Sequence, residues 1–144
     1  MKKNNKIPVV VLDTNVFLVS LAPQSEYSII FDALIEERFQ LVVSTEIINE
    51  YEEIIGKRYD IQTVKDIFEL FLSLPNIIRQ EVYFKWNIIN VDKDDNKFID
   101  IAVASNADYL VTNDKHFNIL EHIYFPKLHH VKAEEFIKFL NEEL

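Results

Sequence analysis

Residues 9 to 18 read VVVLDTNVFL, in which four apolar residues lead directly into a carboxylate, Asp13. The apolar, β-branched run predicts a buried strand over Lys6–Leu12, of the kind that lies at the centre of a parallel sheet. A charge at the end of a buried strand is unfavourable unless it is paired, solvated or bound to a metal. The fold therefore depends on this strand, and the function depends on what balances the charge of Asp13.

Apolar segments with strand and helix periodicity alternate along the rest of the chain. Further strands are predicted at 39–43, 87–91, 109–112 and 128–131, and helices at 27–35, 45–56, 61–74, 97–107, 115–120 and 133–144. Ser44 is expected to cap the second of these helices, which should end near Gly56. The alternation predicts an α/β fold in which a mostly parallel sheet lies between two helical layers, a three-layer α/β/α sandwich.

Composition narrows the classes of function open to this chain. Its 144 residues, without an internal linker, predict a single domain over 7–144 after a flexible basic tail at 1–6. The absence of cysteine excludes disulfides and thiolate metal sites. The sequence contains no apolar run of about 18 residues, so no membrane span is predicted. Together these features predict a cytoplasmic location. A single glycine excludes a Walker loop, a GxGxxG turn and a GxSxG elbow. The net charge of −9 argues against a generic nucleic-acid binder.

Acidic residues recur where predicted strands end. Asp13 follows the first strand and Asp114 lies just beyond the strand at 109–112. Ligands of parallel sheets bind at that edge, although a helix N-cap explains either residue taken alone. A haloacid-dehalogenase-like phosphatase also places an Asp after a strand, but it needs a second Asp two positions later. This chain has Asn15 there, which weakens that alternative.

Two further acidic groups precede or flank predicted helices. Three Asp residues lie within the segment 92–96, just before a predicted helix. Helix capping explains one acid at such a position but not three. The repulsion between three like charges would be relieved by a bound cation. Glu50 and Glu52 both border the apolar stripe of their helix, so periodicity leaves them tied. His116 is interpreted as a surface residue. If these acids converge on one edge, their oxygen ligands suit Mg²⁺ or Mn²⁺.

These segments together resemble the PIN domain, a metal-dependent nuclease fold, and most of all its bacterial branch of toxin components of toxin–antitoxin pairs. The resemblance rests on VVLDTNVF, VVSTEIINEYEEIIGKR, DKDDNKFIDIAVASNADYLVTNDKHF and KAEEFIKFL, in that order from Val9 to the C-terminus. The third block is the most specific, and LDTN alone would be weak. One departure is Asn113, where the family often has glycine. Because Asn tolerates left-handed backbone, the turn is expected to persist.

The resemblance implies a PIN-like fold with a four-carboxylate site, and it resolves the helix tie in favour of Glu50. The implied catalytic and metal-binding residues are Asp13, Glu50, Asp95 and Asp114. The side chains expected to orient these acids are Asn15, Ser44 and Thr112. The candidate contacts to RNA are Arg58, Lys97 and Lys115.

The function implied is that of an endoribonuclease that hydrolyses RNA phosphodiester bonds with one or two Mg²⁺ or Mn²⁺ ions. Asp13 and Asp95 would be the principal ligands, Asp114 would complete the ligand set, and Glu50 would ligate or help to deprotonate the nucleophile. The implied partners are an RNA substrate, a cognate antitoxin protein and a second copy of the chain in a homodimer. The alternative is a non-catalytic PIN-like module that binds a partner protein.

Overall fold

Apolar strands lie at the centre of the structure, a computed structural model that describes residues 6–143. Five strands occur within those residues: β1 (Val9–Leu12), β2 (Gln40–Val43), β3 (Ile77–Arg79), β4 (Tyr109–Val111) and β5 (His130–Val131). They form one sheet in the order β3-β2-β1-β4-β5, and every adjacent pair is parallel. The predicted α/β fold is confirmed. The predicted basic tail, apart from Lys6, lies outside the described residues.

Helices connect the strands. Within residues 6–143 they are α1 (Thr14–Ser20), α2 (Ser28–Ile35), α3 (Thr45–Arg58), α4 (Ile61–Ser73), α5 (Asn96–Ala104) and α6 (Ala133–Glu143), with 3₁₀ helices at Lys93–Asp95 and Lys115–His122. The helix α3 ends at Arg58, near Gly56 as predicted, although Gly56 does not have the positive φ of a C-terminal cap. No helix in this part of the chain is long and apolar enough to cross a membrane.

The strand order places a switch point between β1 and β4. From β1 through β2 to β3 the chain moves towards one edge of the sheet, and from β3 through β4 to β5 it moves towards the other. With right-handed crossovers, the helices α1 to α4 cover one face and α5 covers the opposite face. Ligands of open parallel sheets bind outside the carboxyl ends of the strands at such a switch point. Asp13 and Asp114 follow the two strands that flank it.

Aromatic packing joins α1, α3 and α4. The ring of Phe17 stacks on that of Tyr51, with centroids 4.5 Å apart, and Phe71 packs 5.6 Å from Phe17. The Tyr51 hydroxyl donates a hydrogen bond to the carbonyl of Leu12 at 2.5 Å. Burial, with the charges of nearby acids, raises the pKa of Tyr51 well above its usual value, so this group stays a donor. The last carbonyl of β1 is thus held by α3, the helix that also presents Glu50.

The prediction of a strand at 87–91 is wrong, and the reason is a side chain on α5. The amide of Asn96 accepts a hydrogen bond from Ile89 N–H and donates one to Ile89 C=O, both at 2.8 Å. One turn further along α5, Asp100 accepts a hydrogen bond from Trp86 N–H at 3.0 Å. The segment therefore bonds to buried side chains instead of a neighbouring strand. Its apolar pattern is the same as that of a strand, so periodicity alone cannot distinguish this irregular segment from a strand.

Asn96→Ala is expected to lower the free energy of unfolding by about 2–4 kcal/mol, because it leaves the buried N–H and C=O of Ile89 unpaired. Urea denaturation measures this difference. Asn90→Ala removes an exposed amide in the same segment and serves as the control, with an expected change below about 0.5 kcal/mol. A loss below about 1 kcal/mol at Asn96 would show that water replaces these hydrogen bonds.

Candidate metal centre

Asp13 is a buried carboxylate, 6% exposed, at the exit of β1. Its Oδ1 accepts a hydrogen bond from Asn15 N–H at 3.1 Å, and its Oδ2 accepts one from the Thr112 hydroxyl at 2.6 Å. Burial raises the pKa of Asp13, as do the charges of Asp114 and Glu50, while the two hydrogen bonds oppose the rise. The carboxylate is therefore fixed in position, but its ionised form is unfavourable in the isolated protein.

Asp114 is tied to Asp13 through a shared threonine. The Thr112 hydroxyl accepts a hydrogen bond from Asp114 N–H at 3.1 Å while it donates to Asp13. The carboxylate of Asp114 caps the following 3₁₀ helix by accepting from His116 N–H at 2.9 Å. Thr112 is itself buried, at 2% exposure. One side chain at the end of β4 thus sets the relative position of both strand-exit acids.

Glu50 reaches the same region from α3. One of its carboxylate oxygens accepts a hydrogen bond from the Thr14 hydroxyl, and the other lies 2.6 Å from Lys97 Nζ. The Lys97 side chain is 8% exposed, and its amine also donates to the carbonyl of Asp94 at 2.7 Å. Lys97, predicted as a contact to RNA, is placed by the structure as the internal counter-ion of Glu50.

Asp95, at the start of α5, completes the predicted set. Its Oδ2 lies 3.0 Å from His116 Nδ1, which is also 3.4 Å from Asp114 Oδ1. Burial raises the pKa of Asp95, and the charges of Asp114, Asp92 and Asp13 add to the rise, whereas the hydrogen bond with His116 opposes it. That hydrogen bond in turn raises the pKa of His116. The imidazole links Asp95, at the start of α5, to Asp114, after β4.

A cleft of about 360 Å³ gathers these groups. Among residues 6–143, the carboxylates that line it are those of Asp13, Glu50, Glu53, Asp92, Asp94, Asp95 and Asp114. All four predicted acids are therefore brought together, and Asn15 lines the cleft beside them. Ligand atoms of Asp92, Asp95 and His116 also lie within 4.8 Å of one another. Sequence reasoning left Asp92 and His116 out of the ligand set, although the spacing of His116 two residues after Asp114 was a usable signal.

Other predicted residues lie away from this cleft. The Ser44 hydroxyl caps α3 by accepting from Ile47 N–H at 3.1 Å. Arg58 is exposed in the last turn of α3, and Lys115 lines a neighbouring cavity of about 350 Å³ that also borders Asp114.

The turn at Asn113 was expected to require left-handed backbone, which Asn tolerates. In the structure Asn113 does not have a positive φ. Its side-chain oxygen instead accepts a hydrogen bond from Ala133 N–H at 3.0 Å and holds the start of α6. The loop after β4 therefore needs no glycine at this position, because its conformation is set by hydrogen bonds.

The donor set fits a divalent cation. Carboxylate oxygens are the preferred ligands of Mg²⁺ and Mn²⁺, and Mn²⁺ also accepts an imidazole nitrogen such as that of His116. Burial raises the pKa values of Asp13 and Asp95, as do neighbouring like charges, and the attraction of a bound cation would offset this rise. The carboxylates of the cleft that could hold it include Asp13, Glu50, Asp92, Asp95 and Asp114. His116 adds a nitrogen within ligand distance of Asp92 and Asp95.

The chain is similar to known proteins in both sequence and fold. A family model described as "PIN domain" matches residues 9–116. Ten chains of solved structures match. One of them comes from the crystal structure of VapBC2 from Rickettsia felis, which is bound to a DNA fragment from the VapBC2 promoter. That match has 20% sequence identity and a TM-score of 0.60, and it covers 86% of this chain and 98% of that chain. It shows a shared fold. No curated protein matches.

The stability of Asp13→Asn relative to the wild type is expected to depend on pH in metal-free solution. Because the folded state raises the pKa of Asp13, it binds the proton more tightly than the unfolded chain does, and the ionised carboxylate destabilises the fold above that pKa. The variant should be at least as stable as the wild type at neutral pH. Its advantage should vanish as the pH falls through the folded pKa towards the usual carboxyl range.

Urea unfolding in EDTA across a series of pH values measures this difference. If Asp13→Asn lost more than about 1 kcal/mol at neutral pH, the hydrogen bonds from Thr112 and Asn15 would outweigh the effect of burial, contrary to this account.

Proposed function

The chain belongs to the PIN domain family, and on that premise we propose that it is a Mg²⁺- or Mn²⁺-dependent endoribonuclease that hydrolyses RNA phosphodiester bonds. The main support is the convergence of four carboxylates, presented by separate elements, on one cleft at the switch point of the sheet. Burying acids together raises their pKa values and destabilises the isolated protein, which is the pattern of a functional site.

Each acid has a role in this proposal. Asp13 and Asp95 are the principal ligands of one or two cations, and Asp114 completes the set. When bound, the cation supplies Lewis acidity, which lowers the pKa of water and neutralises charge on the phosphate. Glu50 provides a further ligand oxygen or accepts the proton of the attacking water, and Thr14 and Lys97 fix the orientation of its carboxylate.

We also propose that the protein is the toxin component of a toxin–antitoxin pair. The support is its PIN domain together with the fold that it shares with a chain from the VapBC2 complex. An antitoxin that silences this cleft would have to offset the negative charge of its carboxylates, so the segment that enters it should be basic. A second copy of the chain in a homodimer belongs to the same proposal.

Metal-dependent cleavage is expected for the wild type and not for Asp13→Asn. The test incubates both proteins with a mixed panel of RNAs and Mg²⁺ or Mn²⁺ at about 5 mM, a concentration suited to weak, water-rich sites. Loss of a direct ligand should reduce the cleavage rate at least about hundredfold. Asp66→Asn makes the same chemical change at an exposed acid on α4 and should retain full activity.

Equal cleavage by the wild type and Asp13→Asn would contradict the mechanism and indicate a contaminating nuclease. Absence of cleavage by the wild type with every RNA and metal would favour the non-catalytic interaction module. In such a module the ion pair between Lys97 and Glu50 would be a structural contact only.

Thr112→Val should reduce the cleavage rate about 10- to 100-fold, because the substitution removes the hydroxyl that orients both Asp13 and Asp114. Thr112→Ser keeps the hydroxyl and should restore most of the activity. Rates and Mn²⁺ affinity measured for both variants separate this effect from a loss of folding. Equal activity of Thr112→Val and the wild type would contradict a positioning role.

A further inference from the structure

Three aromatic rings form a cluster beside α5, which we call the aromatic platform: the exposed Phe84 and Phe125 and the half-buried Trp86. The rings of Phe84 and Trp86 meet edge to face with centroids 4.7 Å apart, and those of Trp86 and Phe125 do so at 5.4 Å. Phe84 is 64% exposed and Phe125 77% exposed. Large apolar rings that contact one another while facing water are unusual in a soluble protein and indicate a binding surface.

The platform is attached firmly to the helix that begins at the acidic cleft. Trp86 N–H bonds to Asp100, and Asn96 holds Ile89 by two hydrogen bonds. Asp100 lies on α5, and Asp95 caps the N-terminus of that helix five residues earlier in the sequence. The platform and the cleft are therefore linked through the same helix.

Two exposed lysines close to the rings in the sequence favour a polyanion as the occupant of the platform, and one of them, Lys85, also interacts with the carboxylate of Asp100. Lys85 lies between Phe84 and Trp86 in the sequence, Lys127 lies two residues after Phe125, and both are exposed. The cleft itself is lined by carboxylates, which repel phosphate, so a nucleic-acid substrate has to gain its affinity outside the cleft. Aromatic rings interleaved with basic side chains are the usual means of binding unpaired bases.

We propose that the aromatic platform binds single-stranded RNA by stacking its bases on Phe84, Trp86 and Phe125, and that Lys85 and Lys127 contact the phosphates. This inference rests on the proposed nuclease function, for which it identifies a surface that holds the substrate outside the cleft. The platform positions the strand and takes no part in the chemical step.

Trp86 is the only tryptophan of the chain, so its fluorescence reports directly on this surface. The experiment titrates the metal-free wild type, in EDTA, with an unstructured RNA of about 12 nucleotides, a length within the usual site size. Stacking should quench the fluorescence. Phe84→Ala and Phe125→Ala, both at exposed positions, should each weaken binding at least about fivefold. Leu72→Ala, at an apolar side chain 82% exposed on α4, is the matched control and should bind as the wild type does.

Anisotropy of the same RNA carrying a fluorescent label measures affinity independently of the tryptophan signal. Failure of the RNA to quench Trp86, or equal affinity of the platform variants and the wild type, would overturn the proposal. Equal quenching by inorganic polyphosphate, which has no bases, would also overturn it. So would a dimer in sedimentation velocity that dissociates on Phe84→Ala, because the platform would then be an interface between copies.

These outcomes are separable from those of the proposed function. Cleavage of RNA without binding at the platform would leave the nuclease intact and remove this inference. Binding at the platform without cleavage under any divalent cation would remove the nuclease and keep the RNA-binding surface.

Discussion

The buried hydrogen bond from the Thr112 hydroxyl to the Asp13 carboxylate joins the exits of the two central strands, and the arrangement of the acidic cleft depends on it. A hydrogen bond to a charged group contributes about 1.5–3 kcal/mol, and more of that interaction is retained where water is excluded. The backbone supports the same geometry, since Asp13 N–H donates to Val111 C=O at 3.0 Å. The parallel pairing of β1 and β4 therefore does two things at once. It forms the centre of the core, and it fixes a carboxylate at the point where the two strands end.

The remaining acids are organised around this pair by two basic side chains that lie close to them in the sequence. Lys97 follows Asp95 by two residues and binds Glu50, and His116 follows Asp114 by two residues and bridges back to Asp95. These contacts offset part of the negative charge of the cleft. They do not neutralise it, because seven carboxylates among residues 6–143 line the cleft. The cleft therefore keeps a net negative charge that a bound cation would offset.

The parts of this structure that sequence could predict are those set by periodicity. The strand before Asp13, the alternation of strands and helices, and the placement of acids at strand exits all follow from apolar spacing. Periodicity left Glu50 and Glu52 tied, and only the family resemblance separated them; Glu50 lines the cleft, whereas Glu52 borders an apolar groove between α3 and α4. The segment at 87–91 was predicted as a strand because the amide of Asn96, which replaces a neighbouring strand, leaves no trace in an apolar pattern. Sequence does not predict that Lys97 pairs with Glu50 or that His116 pairs with Asp95. Such pairing between charged groups far apart in the sequence depends on how the elements pack.

The central claim is that Asp13 ends a buried strand because it holds a divalent cation there. Calorimetric titration of Mn²⁺ into the metal-free wild type and Asp13→Asn, with Asp66→Asn as the control, tests it most directly. The account predicts saturable binding with equal affinity for the wild type and the control, and affinity at least about tenfold weaker for Asp13→Asn. Failure of the wild type to bind Mn²⁺, or equal affinity of Asp13→Asn, would contradict it.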